Sequence, residues 1–145
     1  MKRIINVGQT SNKIDVALLL ARVAIAIMML THGLPKMVHL FSGDPIQFPA
    51  VMGMSPEVSL GLTVFAEVIC SILLLVGFTT RLAAIPLMIT MLVAVLVIHS
   101  ADAFAQKEMA LHYLVAYIVL FIAGSGKYSI DYLLQRKLSI RASLI

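Results

Sequence analysis

Charge is scarce in this chain. Asp, Glu, Lys and Arg make up 12% of its 145 residues, hydrophobic residues 61%, and the mean hydropathy is +1.01. A soluble domain carries about 25% charged and about 45–50% apolar residues. A chain this short cannot hide so much apolar surface in a core of its own. A soluble globular domain is excluded, and lipid is the implied solvent. Cysteine is nearly absent as well. Cys70 stands alone, which excludes an internal disulfide and Cys-x-x-Cys chemistry within the chain. Period-two alternation over strands of about 10 residues is missing, which argues against a transmembrane β-barrel. Repeats, low-complexity tracts and flavin, haem or iron–sulfur motifs are absent too. No intrinsic cofactor is therefore expected, and any electrons must come from a partner or a substrate. The net charge is +4 and the pI about 9.5, but no basic cluster forms on a helix face, so nucleic acid is not an expected partner.

What is there is four apolar stretches: Val16–Leu34, Val58–Phe78, Leu82–His99 and Met109–Gly124. A helix needs about 20 residues to cross roughly 30 Å of hydrocarbon. Glu108 and Lys127 can snorkel from the ends of the shortest stretch. Lipid offers no partner to exposed backbone groups, so the spans must be helices. The expected fold is all-α: one integral membrane four-helix bundle over residues 1–145, spans at 16–34, 58–78, 82–99 and 109–124, and an outer loop at 35–57. Lys2 and Arg3 resemble the start of a signal peptide. The apolar run begins only at Val16, however, with no small-residue cleavage pattern behind it, so it is read as a retained span.

Lys and Arg set the orientation. Lys2, Arg3, Lys13, Arg81, Lys127, Arg136, Lys137 and Arg141 flank one side, against only Lys36 and Lys107 on the other. Both termini are expected in the cytoplasm. The loop between Pro35 and Glu57 carries four prolines and Phe41, Ile46, Phe48, Val51, Met52 and Met54. So apolar a loop is expected either to rest on lipid or to form a lid over the outer mouth of the bundle.

Ionisable groups at membrane depth are expensive unless paired or wet, so function is sought among them. Counted at 1.5 Å per residue, Arg22 lies about 9 Å from the inner surface and Glu67 about 14 Å from the outer one. A buried Arg22–Glu67 pair is the expected solution, since each charge alone would be uncompensated. His32 and Lys36 are four residues apart on one helical face. His99 ends the third span and His112 begins the fourth, with Glu108 one turn before it, placed to set the tautomer of His112. The candidate ligand pocket is therefore Arg22 and Glu67 as floor, His32, His99 and His112 as rim, with Lys36 and Tyr113 beside them. A metal centre is not expected, because the three histidines come from three helices without pre-aligning spacing. Tyr113 with Tyr117, and Thr63 with Glu67 and Ser71, form polar stripes on their spans.

The ordered set of Arg22, then His32-Gly33-x-x-Lys36, then Ala66-Glu67 with Leu74, Gly77 and Thr79-Thr80-Arg81-Leu82-Ala83-Ala84 resembles the DoxX family. His99 and Gly124-x-Gly126-x-Tyr128-Ser129-x-Asp131 extend the resemblance from about Arg22 to Leu133. It implies a four-helix bundle in a bacterial cytoplasmic membrane. It also implies a link to quinone- or sulfur-related redox processes, since members occur as subunits of thiosulfate:quinone oxidoreductase and in complexes handling thiol or oxidative stress. The family tends to carry small residues, often a glycine pair, after the glutamate. Cys70-Ser71 stands there in this chain and narrows the space beside Glu67.

The expected function is a redox-associated membrane subunit that binds a quinone-like or small acidic molecule from the outer side. Histidine and tyrosine beside lipid suit a quinone head, Arg22 would stabilise anionic oxygen, and Glu67 or a histidine would carry protons. The alternatives are a scaffold that recruits soluble or membrane oxidoreductase subunits, with Arg136 and Lys137 as contacts, and a small transporter. The lipid bilayer is the expected partner in all three readings. A homo-oligomer is compatible with each of them.

Overall fold

The computed structural model describes residues 12–142, with side chains to residue 139. Expectations placed on Lys2, Arg3 and the side chain of Arg141 lie outside the described residues. Helix α1 is Asn12–Phe41, α2 is Pro56–Val76, α3 is Thr80–Ile98, α4 is Phe104–Ala123 and α5 is Ile130–Ala142. The first four are long and apolar enough to cross a membrane. No strand occurs among the described residues. The architecture is an all-α four-span bundle, as expected, followed by a short helix that hydropathy did not signal.

Helix α1 buries Asp15, Leu18, Arg22, Ala26, Met29 and Gly33. That three-and-four spacing makes one inward face. The helix does not stop at Leu34 but runs through Pro35 to Phe41. Proline lacks one N–H, and in membrane helices neighbouring groups absorb that loss. At 30 residues, α1 is about 45 Å long, so it tilts or projects beyond the hydrocarbon.

Helix α2 starts at Ser55, whose hydroxyl accepts from the Val58 N–H, with Pro56 in the first turn. It ends at Gly77, where φ is +70°. There Phe78 N–H donates to Leu73 O at 2.9 Å and Gly77 N–H to Leu74 O at 3.1 Å, a Schellman ending that satisfies the last carbonyls. The start of α3 is capped from far away in sequence. The Asp131 carboxylate accepts from Thr79 N–H at 2.7 Å and Thr80 N–H at 3.2 Å, a favourable place for an anion.

Each of two spans contains a π-helical stretch: Phe65–Cys70 in α2 and Ala94–Ile98 in α3. The main core gathers Ala26, Met29, Leu74, Leu87, Tyr117 and Leu120 from all four spans. A second cluster of Leu60, Val64 and Val68 is covered by Met37, Leu40, Ile46 and Phe48. The segment after α1 therefore folds against the α1–α2 flank. Val51 N–H reaches the buried Ser59 hydroxyl at 3.2 Å, while Phe41 and Met52 stay exposed.

Candidate functional site

The bundle holds two separate polar centres. The upper one lies near the end where α1 finishes and α2 begins. It is a cavity of about 180 Å³ between α1, α2, α3 and α4. His32, Lys36, Glu67, His99, Gln106 and Tyr113 supply its polar wall, and Met29, Met91, Met109, Ala94 and Ala110 the apolar remainder. No residue of the segment between α1 and α2 is among those that line it.

Glu67 is buried, 3% exposed, at the middle of α2. Its partner is Lys36, whose ammonium donates to Oε1 at 2.6 Å and Oε2 at 2.7 Å. The expected Arg22–Glu67 pair is thus replaced. The reason is the length of α1. Ending it at Leu34 removes Lys36 from the helix, whereas the helix that continues through Pro35 carries Lys36 to the level of Glu67. Gly33 makes the approach feasible. A Cβ there would meet Glu67 Cβ and Val68 Cγ2 at 2.9 Å and the Glu67 carbonyl carbon at 3.0 Å. The His32-Gly33-x-x-Lys36 motif therefore has a physical reading: glycine admits α2, and lysine one turn on neutralises its carboxylate.

The rest of the wall is aromatic and imidazole. His32 meets Tyr113 edge-on with ring centroids 5.9 Å apart, and Tyr113 stacks on Tyr117 at 6.1 Å. His99 Nδ1 lies 2.7 Å from Asp102 Oδ2, which leaves its other ring nitrogen for a ligand. Asp102 escaped the sequence reading. Its place three residues past a histidine at a helix end was the available signal. Both π-helical stretches border the cavity, one through Glu67 and the other through Ala94 and the adjoining His99. π-turns are rare and gather at functional sites.

Of the seven candidate residues, His32, Lys36, Glu67, His99 and Tyr113 come together here, and Arg22 and His112 do not. His112 sits on the exposed side of α4. No group of three His, Cys, Asp or Glu able to hold a metal occurs among the described residues.

The lower centre belongs to Arg22, which is 1% exposed. Its guanidinium donates to Ser125 O, and to Tyr128 O at 2.6 Å. Gly77 packs directly on it, since a Cβ there would come within 2.5 Å of Nη1. Asp15 accepts from the Lys127 backbone N–H at 3.1 Å, and its carboxylate lies 3.2 Å from the Lys127 ammonium. Together with the Asp131 cap, these contacts draw the Gly124–Asp131 segment into the end of the bundle. Hydropathy carries no signal for such a tuck. The glycine, serine and aspartate spacing of that segment entered the sequence analysis only as part of the family resemblance.

Four apolar spans around an internal ion pair define a multi-pass α-helical membrane protein. A family model described as DoxX matches residues 17–100, more than half of the chain. The chain belongs to the DoxX family. The matched stretch contains Arg22, His32, Gly33, Lys36, Glu67 and His99, while the Gly124–Asp131 tuck lies outside it. No curated protein and no solved structure matches the chain.

Proposed function

We propose that the protein is a redox-associated membrane subunit whose Lys36–Glu67 cavity takes the head of a quinone-like molecule. The observation that carries this reading is the ion pair in the cavity wall. Two N–H groups of Lys36 are directed at Glu67, and an ammonium has three. Lys36 is 34% exposed at its side chain, so the third N–H is available to a carbonyl or carboxylate oxygen of a ligand. A small acidic molecule would be served by the same group.

The residues fit a quinone head. About 180 Å³ suits a single substituted ring rather than a drug-sized ligand, whose pockets run to roughly 300–1,000 Å³. Methionines pack adaptably against a flat ring, and Tyr113 and the histidines add hydrogen-bond partners. An isoprenoid tail would leave through the open side into lipid. A bound quinone supplies coupled electron and proton transfer. The chain's own residues hold the head, keep Glu67 ready to exchange a proton, and present His99 at the mouth.

The basic residues at the opposite end of the bundle, among them Arg81, Lys127, Arg136 and Lys137, support a cytoplasmic position for that end and an outer-side mouth. The setting proposed is a bacterial cytoplasmic membrane, with oxidoreductase subunits as partners. The test is extraction and mass spectrometry of lipids retained by protein purified in native-membrane particles. Quinone enriched over the surrounding lipid, and lost in Lys36→Gln and Glu67→Gln, is the expected result. No enrichment in the wild type would overturn the reading.

A further inference from the structure

Below the cavity, two buried hydroxyls lack partners. Ser71 and Tyr117 are both 0% exposed, and neither Ser71 Oγ nor Tyr117 Oη has a hydrogen-bond partner among the described residues. Helices α2 and α4 both run from the cavity end towards the end where α5 lies. Ser71 follows Glu67 by four residues and Tyr117 follows Tyr113 by four. Each hydroxyl-bearing residue is thus about 6 Å deeper than a residue that lines the cavity. Tyr113, which shares the cavity wall with Glu67, stacks on Tyr117 with ring centroids 6.1 Å apart. A serine inside a helix ordinarily donates back to the carbonyl four residues earlier. Ser71 makes no such bond, because it follows directly on the π-helical stretch that ends at Cys70.

Two unpaired hydroxyls at one depth in an apolar interior are costly, and polar groups in that position are ordinarily satisfied by internal water. Glu67 has unused acceptor capacity, because a carboxylate offers about four lone-pair sites and Lys36 engages one on each oxygen. We infer that Ser71, Tyr117 and the lower side of the Glu67 carboxylate form a binding site for internal water beneath the cavity. The site hydrates the buried carboxylate from below, and polar groups at membrane depth are stable only when paired or wet. It also gives Glu67 a hydrogen-bonded neighbour on the side away from the mouth. That role deepens the reading of Glu67 as the proton-exchanging group, but the water site stands without any quinone.

The sign of a stability change separates a wet site from a dry one. In a dry site, Tyr117→Phe and Ser71→Ala remove an unsatisfied group and raise the thermal midpoint of the purified protein. In a wet site, each substitution removes a partner of the water and lowers the midpoint by a few degrees. A second readout is the infrared carboxylate band of Glu67, identified by its loss in Glu67→Gln. The inference predicts lower midpoints for both variants and a shifted band in both. An unchanged or raised midpoint in either variant, or an unmoved band, overturns it. Both measurements use protein without added quinone, so failure here is distinguishable from failure of the quinone reading.

Discussion

Gly33 on α1 rests against Glu67 on α2 so closely that a methyl group at Gly33 would come within 2.9 Å of Glu67 Cβ. One turn further on, Lys36 holds both oxygens of that carboxylate. The contact and the ion pair are one device, because the helices must touch for the lysine to reach.

Substitution at Gly33 tests that link. Gly33→Ala should force α1 and α2 apart and lower stability by about 1–3 kcal/mol, the usual range for overpacking. Gly61 is the control, since nothing lies within 4 Å of a Cβ placed there. Gly61→Ala should be neutral or raise stability by roughly 0.5–1 kcal/mol, as alanine does in a helix interior. Thermal unfolding in one detergent, with all proteins in parallel, makes the comparison. Equal behaviour of the two variants would remove the close approach from the account.

Coupling between charges is the second test. Lys36→Leu and Glu67→Leu should each destabilise, and the double variant should recover part of the loss. Breaking a buried pair costs roughly 3–5 kcal/mol in soluble proteins, and the exposure of Lys36 reduces that figure here. Arg22→Leu combined with Glu67→Leu should instead add within about 0.5 kcal/mol, the behaviour of sites without shared partners. Coupling of Glu67 to Arg22 rather than to Lys36 would reinstate the pairing expected from depth alone.

The spans were legible because hydropathy is a property of whole segments, and an apolar run of this length without period-two alternation can cross lipid only as a helix. Lys36, Glu67, His32, His99 and Tyr113 were legible as a group because polar residues at membrane depth stand out. The pairing of charges was not. It depended on whether α1 passes Pro35, and a proline does not decide that in a membrane helix. Nor does composition reveal the π-helical stretch at Phe65–Cys70, which keeps the side-chain chemistry of an ordinary helix. The Arg22 contacts were hidden for a different reason. Their acceptors are the backbone oxygens of Ser125 and Tyr128, and every residue type has a carbonyl.

Those carbonyls yield a third prediction. Arg22→Lys keeps the charge but loses the fork that serves two acceptors. It should loosen the Gly124–Asp131 segment and lower stability by about 1.5–3 kcal/mol, the scale of a hydrogen bond to a charged group. Limited trypsin digestion should then cut after Lys127 in the variant under conditions where the wild type is not cut at that residue. Asp131→Ala should open the same segment by removing the cap from Thr79 and Thr80, at about 0.5–2 kcal/mol. Unchanged cleavage in both variants would show that the tuck does not depend on these contacts.

Topology is open to reporter fusions. Fusions after Arg81 and at the C-terminus should report cytoplasm, and fusions near Asp44 and Ala103 the outer side. The reverse pattern would place the cavity mouth on the cytoplasmic side and move the proposed partners with it.

The most direct measurement of the central claim is equilibrium binding of a short-chain quinone analogue to purified wild type, Lys36→Gln, Glu67→Gln and His112→Gln. Loss of a hydrogen bond to a charged group corresponds to roughly 1.5–3 kcal/mol, or about a ten- to hundredfold weaker affinity. The account predicts that loss for Lys36→Gln, a clear loss for Glu67→Gln, and wild-type affinity for His112→Gln, whose side chain lies outside the cavity. Wild-type affinity in both the Lys36 and Glu67 variants, or no binding to any of the four proteins, would contradict it.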